Sequence, residues 1–245
     1  MAQRLFVASV VFALVGACYG QQRASADSNV AMARIMSVLS KAKVSGSLEY
    51  WGHCDNPYQF PDFPVVSPTQ NNTGAPLEVL RDMFNEGPKM QVTQDPDGMI
   101  RIVETDVPTD LLNVQISHIS FNNAVTRTIT EPNGTTGTEP VALRDPNTAR
   151  SVILAAPEVS AFMSAQNIGW PPFNAEAISF LETSDSPRIT GDLDNVTLSH
   201  ALDYVLKVIP GLWVYENCPS KTRKRVVYFK FYSNGWGWEN LVKKP

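Results

Sequence analysis

The sequence predicts an α+β protein made of two small helix-on-sheet modules, βαββ-like, behind a cleaved signal peptide. Three observations predict it. An amphipathic helical run followed by two β-rich stretches occurs twice, over Pro76 to Val103 and over Thr197 to Phe229. Prolines (18) outnumber glycines (14), which cuts the chain into short elements and argues against a long bundle or coiled coil. Apolar residues make up 43% of the 245, enough to close a core and exclude global disorder. The formal net charge of −4 argues against a general electrostatic affinity for nucleic acid.

The first twenty residues read as an export signal. Arg4 supplies the positive start, and Leu5 to Ala17 (LFVASVVFALVGA) is an apolar run too short for a comfortable membrane span. Processing has two readings. Val15-Gly16-Ala17-Cys18 is similar to a bacterial lipobox, which would lipidate Cys18 and tether the chain to a membrane surface. Alternatively, an ordinary peptidase cuts after Ala17 or Gly20. Later apolar runs are too short to span a bilayer, so no transmembrane segment is expected in the mature chain. The expected location is periplasmic or extracellular.

Cysteine usage fits export. Beyond Cys18 only Cys54 and Cys218 remain, an even number in an oxidising compartment, and they are expected to pair. Closing so long a loop contributes about 4–5 kcal/mol in the chain-entropy account. The rival is a nucleophilic Cys54 activated by His53, His118 or His200, as in a hydrolase. Adjacent residues on a strand point to opposite sides, so His53 is poorly placed for that work. Asn71, Asn133 and Asn195 open sequons, which matter only in a glycosylating host.

The elements follow in order. Residues 21–46 hold a polar stretch and then a helix over Val30 to Ala42, with Val30, Ile35, Val38 and Leu39 on one side. The first module covers 47–125. Val44 to Trp51 is a strand, and Asp55 to Pro68, with its prolines, an irregular loop. Pro76 to Asn85 is a helix started by Pro76 and stopped by Gly87-Pro88. Met90 to Gln94 and Met99 to Val103 form a hairpin around Asp95-Pro96-Asp97-Gly98. Leu111 to Phe121 is a strand, with His118 on the Val114 and Ile116 side. Residues 126–150, rich in Thr, Gly, Pro and Asn, read as a linker or exposed loop.

The second module covers 151–245. Ser151 to Leu154 opens it, Pro157 to Gln166 is a helix, and Trp170-Pro171-Pro172 breaks it. Ile189 to Leu193 is a short strand, and Asn195 caps a helix from Thr197 to Ile209. In that helix Leu198, Ala201, Leu202, Val205, Leu206 and Ile209 form the apolar stripe, and His200 faces solvent. Leu212 to Glu216 and Val226 to Tyr232 are strands joined by a turn over Asn217 to Arg225.

The run from Leu193 to Leu206 (LDNVTLSHALDYVL) resembles the short N-terminal domain of secretins and TonB-dependent receptors, over about residues 189–232; 76–103 is a weaker second copy. The resemblance implies a small α+β fold, protein partners in the cell envelope and no catalytic residues. No secretin pore or β-barrel pattern follows it, so it bears on fold more than on function.

The remaining chemistry is sparse. Phosphate-loop, HExxH and nucleophile-elbow patterns are absent, and the spacing of Asp185, Asp192 and Asp194 fits no EF-hand loop. Neither a catalytic, a cofactor-binding nor a metal site is therefore assigned, and no cofactor is expected. Lys221, Arg223, Lys224 and Arg225 form the densest positive cluster, open to acidic lipid headgroups or an acidic partner. Trp236 and Trp238, on a glycine-bearing tail, are candidate partner contacts. The sequence thus predicts an exported, non-enzymatic protein-interaction or envelope-assembly protein. A glycan or cell-wall binder using Trp236, Trp238 and Trp170 is the alternative.

Overall fold

The computed structural model describes residues 31–52, 74–84, 90–122, 125–130, 135–170 and 187–233. Its class is α+β. Helix α1 spans 31–42 and presents Met32, Ile35, Met36 and Leu39 to the interior, all buried. Lys43, at φ 55°, ends it in the left-handed region, and Val44 N donates to Leu39 O at 3.1 Å. Strand β1, Gly46–Trp51, follows and is buried along nearly its whole length.

Helix α2, Pro76–Met83, starts with proline in its first turn, where a missing N–H costs nothing. It leads into the hairpin of β2, Met90–Gln94, and β3, Ile100–Glu104. The second unit repeats this path. Helix α5, Leu198–Val208, leads into β9, Gly211–Pro219, and β10, Arg225–Ser233. The two hairpins share one six-stranded sheet, in the order β2-β3-β1-β9-β10-β7, where β7 is the two-residue strand Ile168–Gly169. β1 lies between them, parallel to both: Leu48 faces Ile102 on one side and Val214 on the other.

Strand alternation divides the sheet into two apolar faces. Leu48, Tyr50, Ile100, Ile102, Leu212 and Val214 pack with α1 and α2. Trp213, Tyr215, Val227, Phe229 and Phe231 pack with α5 and with two further helices, α3 (Pro146–Leu154) and α4 (Pro157–Ala165). Helices therefore cover both faces, which a strand paired in parallel on both sides requires.

Several sequence expectations are corrected. The stretch 126–150 is not a plain linker. It holds a hairpin of β5 (Val125–Thr130) and β6 (Thr136–Val141) and the start of α3. Asp145 caps α3, accepting from Asn147 N at 3.1 Å and Thr148 N at 2.9 Å. The cap of α5 is Thr197, whose Oγ1 accepts from His200 N at 3.2 Å; Asn195 instead sits at φ 52° within β8, Asp192–Thr197. β8 pairs with β4, Gln115–Ser120. There Ile116 and Ile119 are the buried pair and His118 is exposed, because strict alternation breaks opposite the left-handed Asn195. The β9–β10 turn is shorter than expected, since pairing continues to Pro219 and Arg225.

Edge strand β2 and the stretch of β10 beyond its short pairing with β7 receive side chains from helices. Arg81 Nε of α2 donates to Val92 O of β2 at 3.0 Å. From α3, Arg150 Nη1 donates to Phe229 O of β10 at 2.6 Å, and Asn147 Oδ1 accepts from Phe231 N at 3.4 Å.

Gly211 opens β9 where a Cβ would lie 2.0 Å from Tyr232 O, a backbone atom that cannot yield. Gly211→Ala is expected to destabilise the protein by about 3 kcal/mol, the upper part of the usual overpacking range, read as a lowered urea midpoint. Cys218 is wholly buried at the end of β9, whereas Cys54 lies outside the described residues, so their pairing stands as a proposal. Non-reducing peptide mapping is expected to link the two; a free Cys54 thiol would sink it.

Candidate functional site

Among the described residues, a connected polar constellation lies beneath α5, on the α5-covered face of β3, β1 and β9. Alternation puts Arg101 of β3, Ser47 and Glu49 of β1 and Trp213 of β9 on that face. Arg101 reaches out of the sheet and forks onto Asp203 of α5, Nη1 to Oδ1 at 2.9 Å and Nη2 to Oδ2 at 2.5 Å. Its Nε donates to Asp95, in the β2–β3 turn, at 2.7 Å. Trp213 Nε1 donates to Asp203 Oδ1 at 2.8 Å, and the guanidinium sits 5.7 Å from the indole centroid. Burial alone would pull the Arg101 guanidinium down, but Asp203 and Asp95 hold it above its ordinary value. This bidentate, hydrogen-bonded pairing is the geometry in which a buried charge is tolerated. Lys207 of α5 adds an exposed pair to Asp97 at 3.2 Å.

Glu49 sits beside this pair and is 6% exposed. Ser47 Oγ donates to its Oε1 at 3.1 Å. Burial dominates and raises its pKa to about 7, against the lowering effects of Ser47 and Arg101 and with the help of Asp203 and Asp95.

Further along the same face lie Tyr215 and Asn217 of β9 and Arg225 of β10, all buried. Arg225 pairs with Asp110, from the segment after β3. Tyr215 OH, both amide atoms of Asn217 and Arg225 Nε are enclosed there without a well-formed hydrogen bond among the described residues. Burial pushes the Tyr215 hydroxyl up to about 12. Arg225, expected in an exposed positive cluster, is thus turned inward and is corrected from partner contact to internal ion pair.

The other three members of that cluster do lie at the surface. Lys221, Arg223 and Lys224 are exposed on the β9–β10 turn. Trp170 is 46% exposed just after β7. His118 Nδ1 meets Asp194 Oδ1 at 2.7 Å in the open, and that hydrogen bond raises its pKa. His200 is exposed on α5. Cys18, His53, Cys54, Trp236 and Trp238 lie outside the described residues. Among the described residues no three His, Cys, Asp or Glu side chains gather as metal ligands. Sequence reading missed the Arg101–Asp203 pair, whose partners lie 102 positions apart. The only local signal was an acid among the apolar positions of the 197–209 helix.

Comparison with known proteins finds no matching protein-family model, no matching curated protein and no matching solved structure.

Glu49 has a folded pKa of about 7 against an ordinary 4.5. The folded state therefore holds a proton that the unfolded chain releases between those values. The stability from Glu49 is fully present below about pH 4.5 and is lost as pH rises to 7, a fall of about 3 kcal/mol. Urea unfolding from pH 4.5 to 8 is expected to show this slope, and Glu49→Gln to flatten it. Equal slopes for the two proteins would refute the assignment.

Proposed function

We propose that this chain is an exported, non-enzymatic protein that works through contact with an envelope or secreted protein. The observation that carries the reading is the order β8, α5, β9, β10 over residues 192–233. The βαββ-like module expected from the resemblance would have the same element order, although here β8 pairs with β4 outside the sheet of the β9–β10 hairpin. The interior supports the same reading. Arg101, Asp203 and Asp95 are engaged with one another, tying α5 to the opposite hairpin, and so serve cohesion. None of the described helices is long and apolar enough to cross a membrane. Partner contact is assigned to Trp236 and Trp238 of the tail.

A second reading, a glycan or cell-wall binder, draws on the exposed indole of Trp170. One pair of experiments separates the two. Cross-linking in the native envelope, followed by identification of the bound protein, is expected to yield one partner with the wild-type chain. Trp236→Ala/Trp238→Ala is expected to lose it; an unchanged set of adducts counts against docking through the tail. Retention on insoluble peptidoglycan that Trp170→Ala abolishes would favour the glycan reading instead.

A further inference from the structure

We propose that the end of the large sheet formed by the β9–β10 turn and β7 docks on an anionic lipid surface. This goes beyond the protein-contact reading and stands without it. Lys221, Arg223 and Lys224 are all exposed there. No carboxylate pairs with them among the described residues; Lys224 Nζ reaches only the neutral Gln166 Oε1, at 3.3 Å. The turn is held in shape. Ser220 Oγ accepts from Thr222 N at 3.3 Å and Arg223 N at 3.2 Å, and Lys224 N donates to Asn167 O at 3.0 Å. The stem of Arg223 lies on Gly169, where a Cβ would sit 3.3 Å from its Cγ. Three cations are thus presented on a fixed knuckle.

The next residue after Gly169 is Trp170, the only large apolar side chain among the described residues that is exposed. Phe229 braces its ring edge-on, centroids 6.3 Å apart at 60°. Basic side chains beside an exposed indole match the two layers of a bilayer interface. The cations meet anionic headgroups, and the amphipathic ring settles at the headgroup boundary. A sugar platform would use the ring and leave the cations idle; an acidic polypeptide would use the cations and leave the ring wet. The chain as a whole is negative, at −4, so an anionic surface repels most of it and selects this end.

Flotation of the full chain with phosphatidylcholine vesicles, with and without phosphatidylglycerol, tests the proposal. The readout is the increment in binding caused by phosphatidylglycerol. Binding through residues 1–20 alone is common to the wild type and every variant. The increment is expected to be present for the wild type and to vanish at about 1 M salt, where screening shortens to about 3 Å. Lys221→Ala/Arg223→Ala/Lys224→Ala is expected to weaken it about a hundredfold, as three basic residues at a charged surface would. Trp170→Ser weakens it further, and Lys207→Ala, remote from the knuckle, leaves it unchanged. All these side chains are exposed, and an unaltered melting temperature confirms the fold of each variant. A wild-type chain with no increment, or a triple variant that keeps it, overturns the proposal. Binding to polyglutamate in place of the vesicles overturns it in favour of an acidic protein partner.

Discussion

The double parallel pairing of β1 is the constraint on which the rest of the structure depends. Gly46 stands opposite Ile100 in one hairpin and Leu212 in the other, so a single strand of six residues merges two local units into one sheet. Parallel pairing cannot be made by a tight turn; it brings together segments distant in sequence. Gly46 is suited to this place, since a Cβ there would lie 2.6 Å from Ile100 O. Once β1 is flanked on both sides, both its faces need cover, and α1 with α2 on one side and α5 with α3 and α4 on the other supply it.

The buried polar layer follows from this arrangement. Joining the hairpins brings Arg101 under α5, where burial without a partner would cost several kcal/mol. Asp203 and Asp95 accept from it, and the Trp213 ring lies beside its guanidinium while donating to Asp203, so three separate elements meet there. The pair thereby adds a polar tie between α5 and β3 to the apolar packing of Leu198, Leu202 and Leu206. Glu49, close to the same pair and held by one hydroxyl, makes the layer responsive to protons.

Much of the fold was legible from local signals. The hairpin around Asp95 to Gly98 and the stripe from Leu198 to Leu206 are short-range patterns, and the structure follows them closely. Asp145-Pro146 also carried a legible helix start, a cap followed by proline, but the Thr- and Asn-rich surroundings read as a loop. What sequence could not give was distance-spanning. Nothing in GSLEYW says that both hairpins will pair with it. Strand alternation put His118 inside, yet the left-handed Asn195 across the ladder turned it out. Of the surface cluster, Lys221, Arg223 and Lys224 were readable as a turn, while Arg225 belonged to the extended pairing of β10 and went inward.

The helix-borne side chains on β2 and β10 have a consequence for crowded surroundings. A border strand normally offers a row of free amides and carbonyls on which another chain can polymerise. Arg81 occupies Val92 O, and Arg150 and Asn147 occupy Phe229 O and Phe231 N. Those three backbone groups are withheld from an incoming strand, which leaves less of the template for edge-to-edge pairing.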